Sequence, residues 1–306
     1  MTMRGRSAFT VLVVLMPTGA QAQDRGRGPV ILDVPASTTA LAMGNAFQLS
    51  GGSSEAIFYN PALLLRATGF GLAAQRFGSQ STALTLSAGT RWWKGAVGVG
   101  LQTLSYSTDA TTPQAIALGQ RDLLTGGATA VSELIATLAY AQEVFGVRWG
   151  VAGKLIEQRM AGSKDAVPAV DLGASITLGP ITVGLSAQNL GPDLTVEGVE
   201  TELANRVTAG ASLRRRPVGP LDLGASAAIM RMADGTVIPA FGGELAWWQV
   251  TGRTFIGRIG VRRVEDDPAS ELTFGAAFVG DAITIEYAFQ GFDDADGAHR
   301  FGVSWR

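Results

Sequence analysis

From Gly69 to the end of the chain, segments of about ten residues alternate apolar with small or polar positions, the period of a β-strand with two unlike faces. Ile181, Val183, Leu185 and Ala187 interleave with Thr182, Gly184 and Ser186, and Leu272, Phe274, Ala276 and Phe278 interleave with Thr273, Gly275 and Ala277. The pattern predicts fourteen strands, at 69–77, 82–92, 95–106, 132–142, 146–158, 167–178, 180–188, 204–214, 219–231, 237–248, 253–263, 269–279, 281–290 and 298–306. Connections after the odd-numbered strands have 4 to 25 residues, whereas those after the even-numbered ones have 1 to 4. A soluble sandwich has no reason to alternate in this way. An outer-membrane barrel does, because its periplasmic turns are short and its external loops longer. Residues 69–306 are therefore read as an all-β, transmembrane antiparallel barrel of about fourteen strands, with the short turns on the periplasmic side.

Tryptophan placement supports that frame, since Trp and Tyr prefer the membrane–water interface. Trp92 and Trp93 flank one short turn, Trp247 and Trp248 another, Trp149 follows a third, and Trp305 stands near the C-terminus. Charged residues share the strand face of the small residues at Arg148, Lys154, Asp171, Arg206, Asp222, Glu244, Arg258, Arg262 and Glu286. A charge facing mid-bilayer lipid costs about 2–4 kcal/mol, so these nine are expected to line the lumen. Their mixed signs suggest ion pairs that hold register and attach a plug, with a selectivity or substrate-binding role as the alternative.

Upstream of the barrel, Arg4 and Arg6 precede the apolar stretch from Ala8 to Met16 and then Ala20-Gln21-Ala22. This order of charged, apolar and cleavable parts reads as a secretory signal peptide over residues 1–22. The apolar stretch falls short of the about 20 residues that a spanning helix needs. Forty glycines and a mean hydropathy slightly above zero are unusual for a soluble protein, and they fit an exported barrel in which every backbone group is bonded internally. No cysteine is present, so stability rests on the strand ladder and packing. The formal net charge is −2, and without a basic run nucleic acid is set aside as a partner.

Residues 23–68 lack the strand period and are expected to fold as a small helical hatch inside the barrel. Asn60 is placed to cap a short helix from Pro61 to about Arg66, with Pro61 at the first position, where its missing N–H is harmless. Phe58, Tyr59, Asn60, Pro61 and Ala62 form the candidate hatch motif, with Phe58 and Tyr59 expected against the inner wall or its mouth. The stretches Ala40-Leu41-Ala42-Met43-Gly44-Asn45-Ala46-Phe47 and Ser53-Ser54-Glu55-Ala56-Ile57-Phe58-Tyr59-Asn60-Pro61-Ala62-Leu63 resemble the N-terminal signature of the PorV/PorQ family of outer-membrane barrels. More distantly they resemble FadL-type transporters of hydrophobic compounds. Ala187-Gln188-Asn189-Leu190-Gly191-Pro192, the strand at Asn205-Arg206-Val207 and the final strand from His299 to Arg306 are similar to that family too.

The resemblance implies a fourteen-stranded barrel with a lumenal hatch in the outer membrane of a Gram-negative-type bacterium. Its PorV-like branch implies an interaction barrel serving a type IX-like secretion machinery, with secreted cargo or that machinery as partners. The FadL-like alternative implies passive transport of hydrophobic small molecules. Two departures stand out: only 107–131 and 189–203 are long enough for external structures, and the chain ends in Arg306, leaving Phe301 and Trp305 as the terminal aromatics.

Catalytic chemistry is expected to be absent. His299 is the one histidine and there is no cysteine, so the usual transition-metal clusters cannot be built. A Ser–His dyad would have to use His299, and no serine carries a nucleophile context. Asp293-Asp294-Ala295-Asp296-Gly297 resembles part of a calcium loop but lacks the bidentate Glu at the required spacing. The chain is accordingly read as neither an enzyme nor a cofactor-binding protein.

Overall fold

The computed structural model describes residues 26–46, 52–77, 81–106, 131–160, 163–196, 198–250, 252–263, 269–292 and 297–305. The expected signal peptide, the 107–131 connection except its last residue, and Asp293, Asp294 and Asp296 lie outside the described residues. The strands are β1 (Gly26–Arg27), β2 (Gly69–Phe77), β3 (Ser81–Trp92), β4 (Gly95–Tyr106), β5 (Val131–Val144), β6 (Val147–Met160), β7 (Ser163–Leu178) and β8 (Ile181–Leu190). They continue with β9 (Leu194–Val196), β10 (Val199–Glu202), β11 (Arg206–Val218), β12 (Leu221–Met232), β13 (Val237–Val250), β14 (Arg253–Arg262), β15 (Ala269–Val279), β16 (Ile283–Phe292) and β17 (Ala298–Trp305).

Fourteen of these, β2–β8 and β11–β17, form one closed antiparallel barrel. Each pairs with its sequence neighbour, β8 pairs with β11, and β17 closes the cylinder on β2 with Trp305 opposite Phe70 and Ala298 opposite Phe77. The expected strands are all present, with ends shifted by up to four residues, as where β7 begins at Ser163. Two-residue turns suit such tight hairpins when both residues are left-handed. Phe145 and Gly146 take φ of 53° and 77° between β5 and β6.

Alternation sorts the side chains. In β2, Gly71, Ala73 and Gln75 point into the lumen while Phe70, Leu72 and Ala74 point out. Leu138, Phe241 and Phe301 are 60–64% exposed on the outer face, an apolar surface that requires lipid around it. All six tryptophans are exposed at the short-turn rim, where Phe70 stacks on Trp305 at 5.2 Å and Trp92 meets Tyr140 edge-on at 6.5 Å. A closed barrel with this apolar band and aromatic girdle is an outer-membrane protein of the Gram-negative type.

Inside the cylinder the N-terminal segment runs from one end to the other. It starts at β1, which pairs in parallel with β10, and β10 pairs with β9. β9 and β10 lie in the long connection between β8 and β11, so the connection expected as a loop carries a hairpin, to which β1 adds a third strand. The segment then makes a 3-10 turn at Val30–Leu32, helix α1 (Thr38–Ala42), and further 3-10 turns at Ser54–Phe58 and Pro61–Arg66 before reaching Gly69 at the short-turn end. Ser37 caps α1 by accepting from the Ala40 amide, and Asn60 caps the last turn by accepting from Ala62 N at 3.0 Å, with Pro61 in its first position.

Packing holds the segment in place. Ile57, Ala62, Leu63, Leu64 and Met43 are fully buried, and each large apolar side chain so buried stabilises the arrangement by about 1.5–3 kcal/mol.

Candidate functional site

The lumen is built around glycines in the inward positions of the wall. Cβ atoms at Gly150 and Gly173 would overlap the backbone of Pro61-Ala62 and the Asn60 side chain, so those two positions are the socket of the hatch motif. Asn60 is completely buried, and its amide donates to the carbonyls of Ala174 and Leu185, both at 3.3 Å. These two residues face each other across β7 and β8, so one side chain spans two wall strands. Phe58 packs against Gly100. The Tyr59 hydroxyl accepts from Ser37 N at 2.9 Å, and burial pushes its phenol up to about 12.

A second anchor comes from the Gln188-Asn189 pair. Gln188 donates to Phe58 O at 2.7 Å and accepts from Arg206 Nε at 2.9 Å, while Arg206 also donates to Leu32 O at 3.2 Å. Asn189 sits in a left-handed conformation, φ 61°, where the β7–β8 register shifts between Val170 and Leu172. Its backbone N–H donates to Asp171 at 2.8 Å, its side-chain oxygen accepts from Lys154 at 2.8 Å, and its amide donates to Ala204 O at 2.8 Å. Lys154 and Asp171 form a buried ion pair at 2.7 Å. The kink in the wall is thus filled by one charge pair and one asparagine.

The other side of the lumen carries a belt of alternating charge. Arg215 reaches Glu244 at 3.5 Å, Arg258 lies 3.6 Å from Glu244 and 2.6 Å from Glu286, and Thr39 of the hatch donates to Glu286 at 2.7 Å. Arg300, fully buried, donates to Ala36 O at 2.6 Å, Thr85 at 2.9 Å and Gln75 at 3.2 Å. Glu55 enters this belt from the hatch. Burial, reinforced by the Glu286 carboxylate, pushes its pKa up to about 7 against the opposing pull of Arg300.

All nine charges singled out from the sequence lie on the inward side of the wall. Arg148 donates to Thr177 at 2.7 Å, beside Arg66 of the hatch, which donates to the same hydroxyl at 2.8 Å. Asp222, opposite Ala246 and Pro217, and Arg262, opposite Ala240, are half-buried near the two ends. Sequence reasoning gave Glu133 no role and quoted Arg300, Glu55, Gln188 and Asn189 only within the stretches that carry the resemblance, not as lumen residues. Arg300 shares the phase of Ala298 and Gly302, which could have identified it. Glu55 sits where no period exists. His299 points outward, with its Nδ1 2.8 Å from the Tyr287 hydroxyl and its ring 5.1 Å from Phe289, on the opposite face of the wall from the lumen.

At the loop-rich mouth the inner wall turns apolar. Leu104, Ile135, Ile156 and Val167 join Leu194, Val196 and Leu203 of the β8–β11 connection, and Ile31 and Leu32 of the hatch, in one buried cluster. Glu133, opposite Leu104 on the mouth side of Ile135, accepts from Ile31 N at 2.7 Å and Gln158 at 3.2 Å.

No family model and no curated protein sequence matches the chain. Solved structures do. The toluene transporter TbuX of Ralstonia pickettii aligns with a TM-score of 0.55 at 13% identity, over 88% of this chain and 97% of that one. The toluene transporter TodX of Pseudomonas putida gives 0.56 at 11%, over 88% and 96%. The monoaromatic hydrocarbon channel CymD gives 0.56 at 10%, also over 88% and 96%. At such identities the likeness is one of fold alone, that of a closed outer-membrane barrel.

Proposed function

We propose that this barrel passes hydrophobic small molecules across the outer membrane. The observation that carries the reading is the apolar cluster near the mouth, where Leu104, Ile135, Ile156 and Val167 pack against Ile31 and Leu32 of the hatch and close the bore with an apolar contact instead of leaving a water-filled pore. An apolar solute that takes the place of the hatch side chains there gains about 25 cal/mol for each Å² it removes from water. The shared fold with toluene transporters and a hydrocarbon channel supports the same class of solute. Because the hatch fills the lumen, passage requires Phe58 and its neighbours to shift.

The PorV-like secretion reading, with exported cargo or secretion machinery as partner, rests on the sequence motifs alone; the mouth and the shared fold favour transport. Uptake of a radiolabelled monoaromatic hydrocarbon by cells producing the barrel tests the proposal. Ile135→Asp and Ile156→Asp should lower uptake to the level of cells lacking the protein, at unchanged amounts of folded barrel. Wild-type uptake no faster than in those cells would overturn the reading. Co-purification of an exported protein, lost on shortening 107–131, would restore the secretion role.

A further inference from the structure

At the short-turn end of the lumen two arginines share one acceptor. Arg148 is the second residue of β6, and Arg66 ends the last turn of the hatch. Their guanidiniums stand on either side of a single oxygen, since Arg148 Nη2 donates to Thr177 Oγ1 at 2.7 Å and Arg66 Nη2 donates to the same atom at 2.8 Å. Like charges placed so close repel, and a buried cation ordinarily has a carboxylate beside it. Arg148 is only 4% exposed, yet among the described residues neither arginine makes an ion pair. Glu143, opposite Arg148 in the β5–β6 register and exposed, does not close the gap.

The hydroxyls around the pair have hydrogens to spare. A hydroxyl offers one hydrogen and two lone pairs. Thr177 accepts from both arginines, so its hydrogen goes to Thr182 Oγ1, 3.2 Å away. Thr182 also accepts from Arg66 Nη1 at 3.4 Å, and its own hydrogen is then left over. Ser175, paired with Arg148 across β6 and β7 and buried on the same inward side, has a hydroxyl with no partner among the described residues. Each guanidinium carries further N–H groups. The cluster is thus rich in positive charge and donors and short of acceptors, and exposed Arg66 gives it access to the open end of the bore.

We propose that Arg66 and Arg148 bind a phosphate-type oxyanion, with Thr182 and Ser175 as supporting donors. Guanidinium forks match the oxygens of such a group and bond it with charge assistance. One arginine belongs to the hatch and the other to the wall, so the bound anion clips the end of the hatch to β6 and relieves the repulsion between the two cations.

Thermal unfolding of the detergent-purified full chain, with sodium phosphate replacing sodium chloride at constant ionic strength and neutral pH, tests the proposal. Wild type should show a saturable rise of about 2–4 °C. Arg148→Gln and Arg66→Gln should each raise the half-saturating phosphate concentration about tenfold. Arg66 is exposed, so its variant keeps the test valid if Arg148→Gln does not fold. Arg253→Gln, a lost charge on the outer face at the same end, should behave as wild type. In planar bilayers phosphate should lower the conductance of wild type and not of Arg66→Gln. A rise that both site variants retain, which is a general salt effect, would overturn the site, as would no saturable rise in wild type. Unchanged wild-type conductance would overturn the clip. An equal rise with butyl phosphate would identify the end group of a larger solute as a source of the anion, and a rise with inorganic phosphate alone would identify the free ion; either supports the site. No hydrocarbon enters these measurements, so their failure leaves the transport reading standing.

Discussion

Asn60 and Gly173 show how a single contact is divided between distant parts of the chain. The asparagine caps the turn that follows it and bonds two wall carbonyls, and it fits only because the wall residue beneath it has no side chain. Gly173→Val is expected to push the hatch out of its socket, with loss of about 1–3 kcal/mol for the stranded buried amide, read as a lower unfolding temperature and a larger pore conductance. The Asn60-Pro61 cap is legible in the sequence because capping is local. Its socket is not, since nothing in a strand of alternating small residues marks which glycine receives a side chain. Glu55 was hidden for a related reason, because its burial follows from the wall around it. Its raised pKa means that the folded state favours the neutral acid. The contribution is therefore complete below the unfolded value of 4.5 and is lost as pH rises through about 7. The barrel should lose thermal stability between pH 5 and pH 8, and Glu55→Gln should flatten that slope in a melting series. An unchanged slope would place the titration elsewhere.

At the scale of elements, what was legible is what repeats. Fourteen long strands declare themselves by period and by alternating connection lengths, whereas β1, β9 and β10, with two to four residues each, are too short to show any period. The register shift between β7 and β8 was legible only in part: Lys154 and Asp171 were expected in the lumen, but not their meeting with Asn189. Its Lys154, Asp171 and Asn189 are far apart in sequence and meet only once the register shifts. Removing one member leaves a buried charge without its partner, which costs about 3–5 kcal/mol, while replacing both charges with apolar residues of similar size is nearly neutral. Lys154→Met should accordingly lower the urea midpoint of the barrel in vesicles sharply, and Lys154→Met with Asp171→Leu should recover most of the loss. A double variant as weak as the single one would mean that the pair holds the kink by more than charge balance.

Across the whole molecule, a closed ladder and a filled lumen divide the labour. The ladder bonds every wall strand to two neighbours, so the cylinder does not depend on its contents for backbone satisfaction. Deletion of residues 24–66 is expected to leave a barrel that still folds into bilayers but conducts more in planar-membrane recordings, since this lumen is wider than its own side chains fill. Conductance equal to wild type would show that the segment does not obstruct the pore. The course of that segment carries one more consequence. It begins at the loop-rich mouth, where β1 joins β10, and leaves at the opposite end, where Gly69 opens β2. A thread already lying along the bore cannot be drawn in after the cylinder is shut without dragging its folded turns past the wall. The seam between β17 and β2 is then expected to close last, around a hatch already in place, which makes the segment a passenger enclosed by a wall that could also have shut without it.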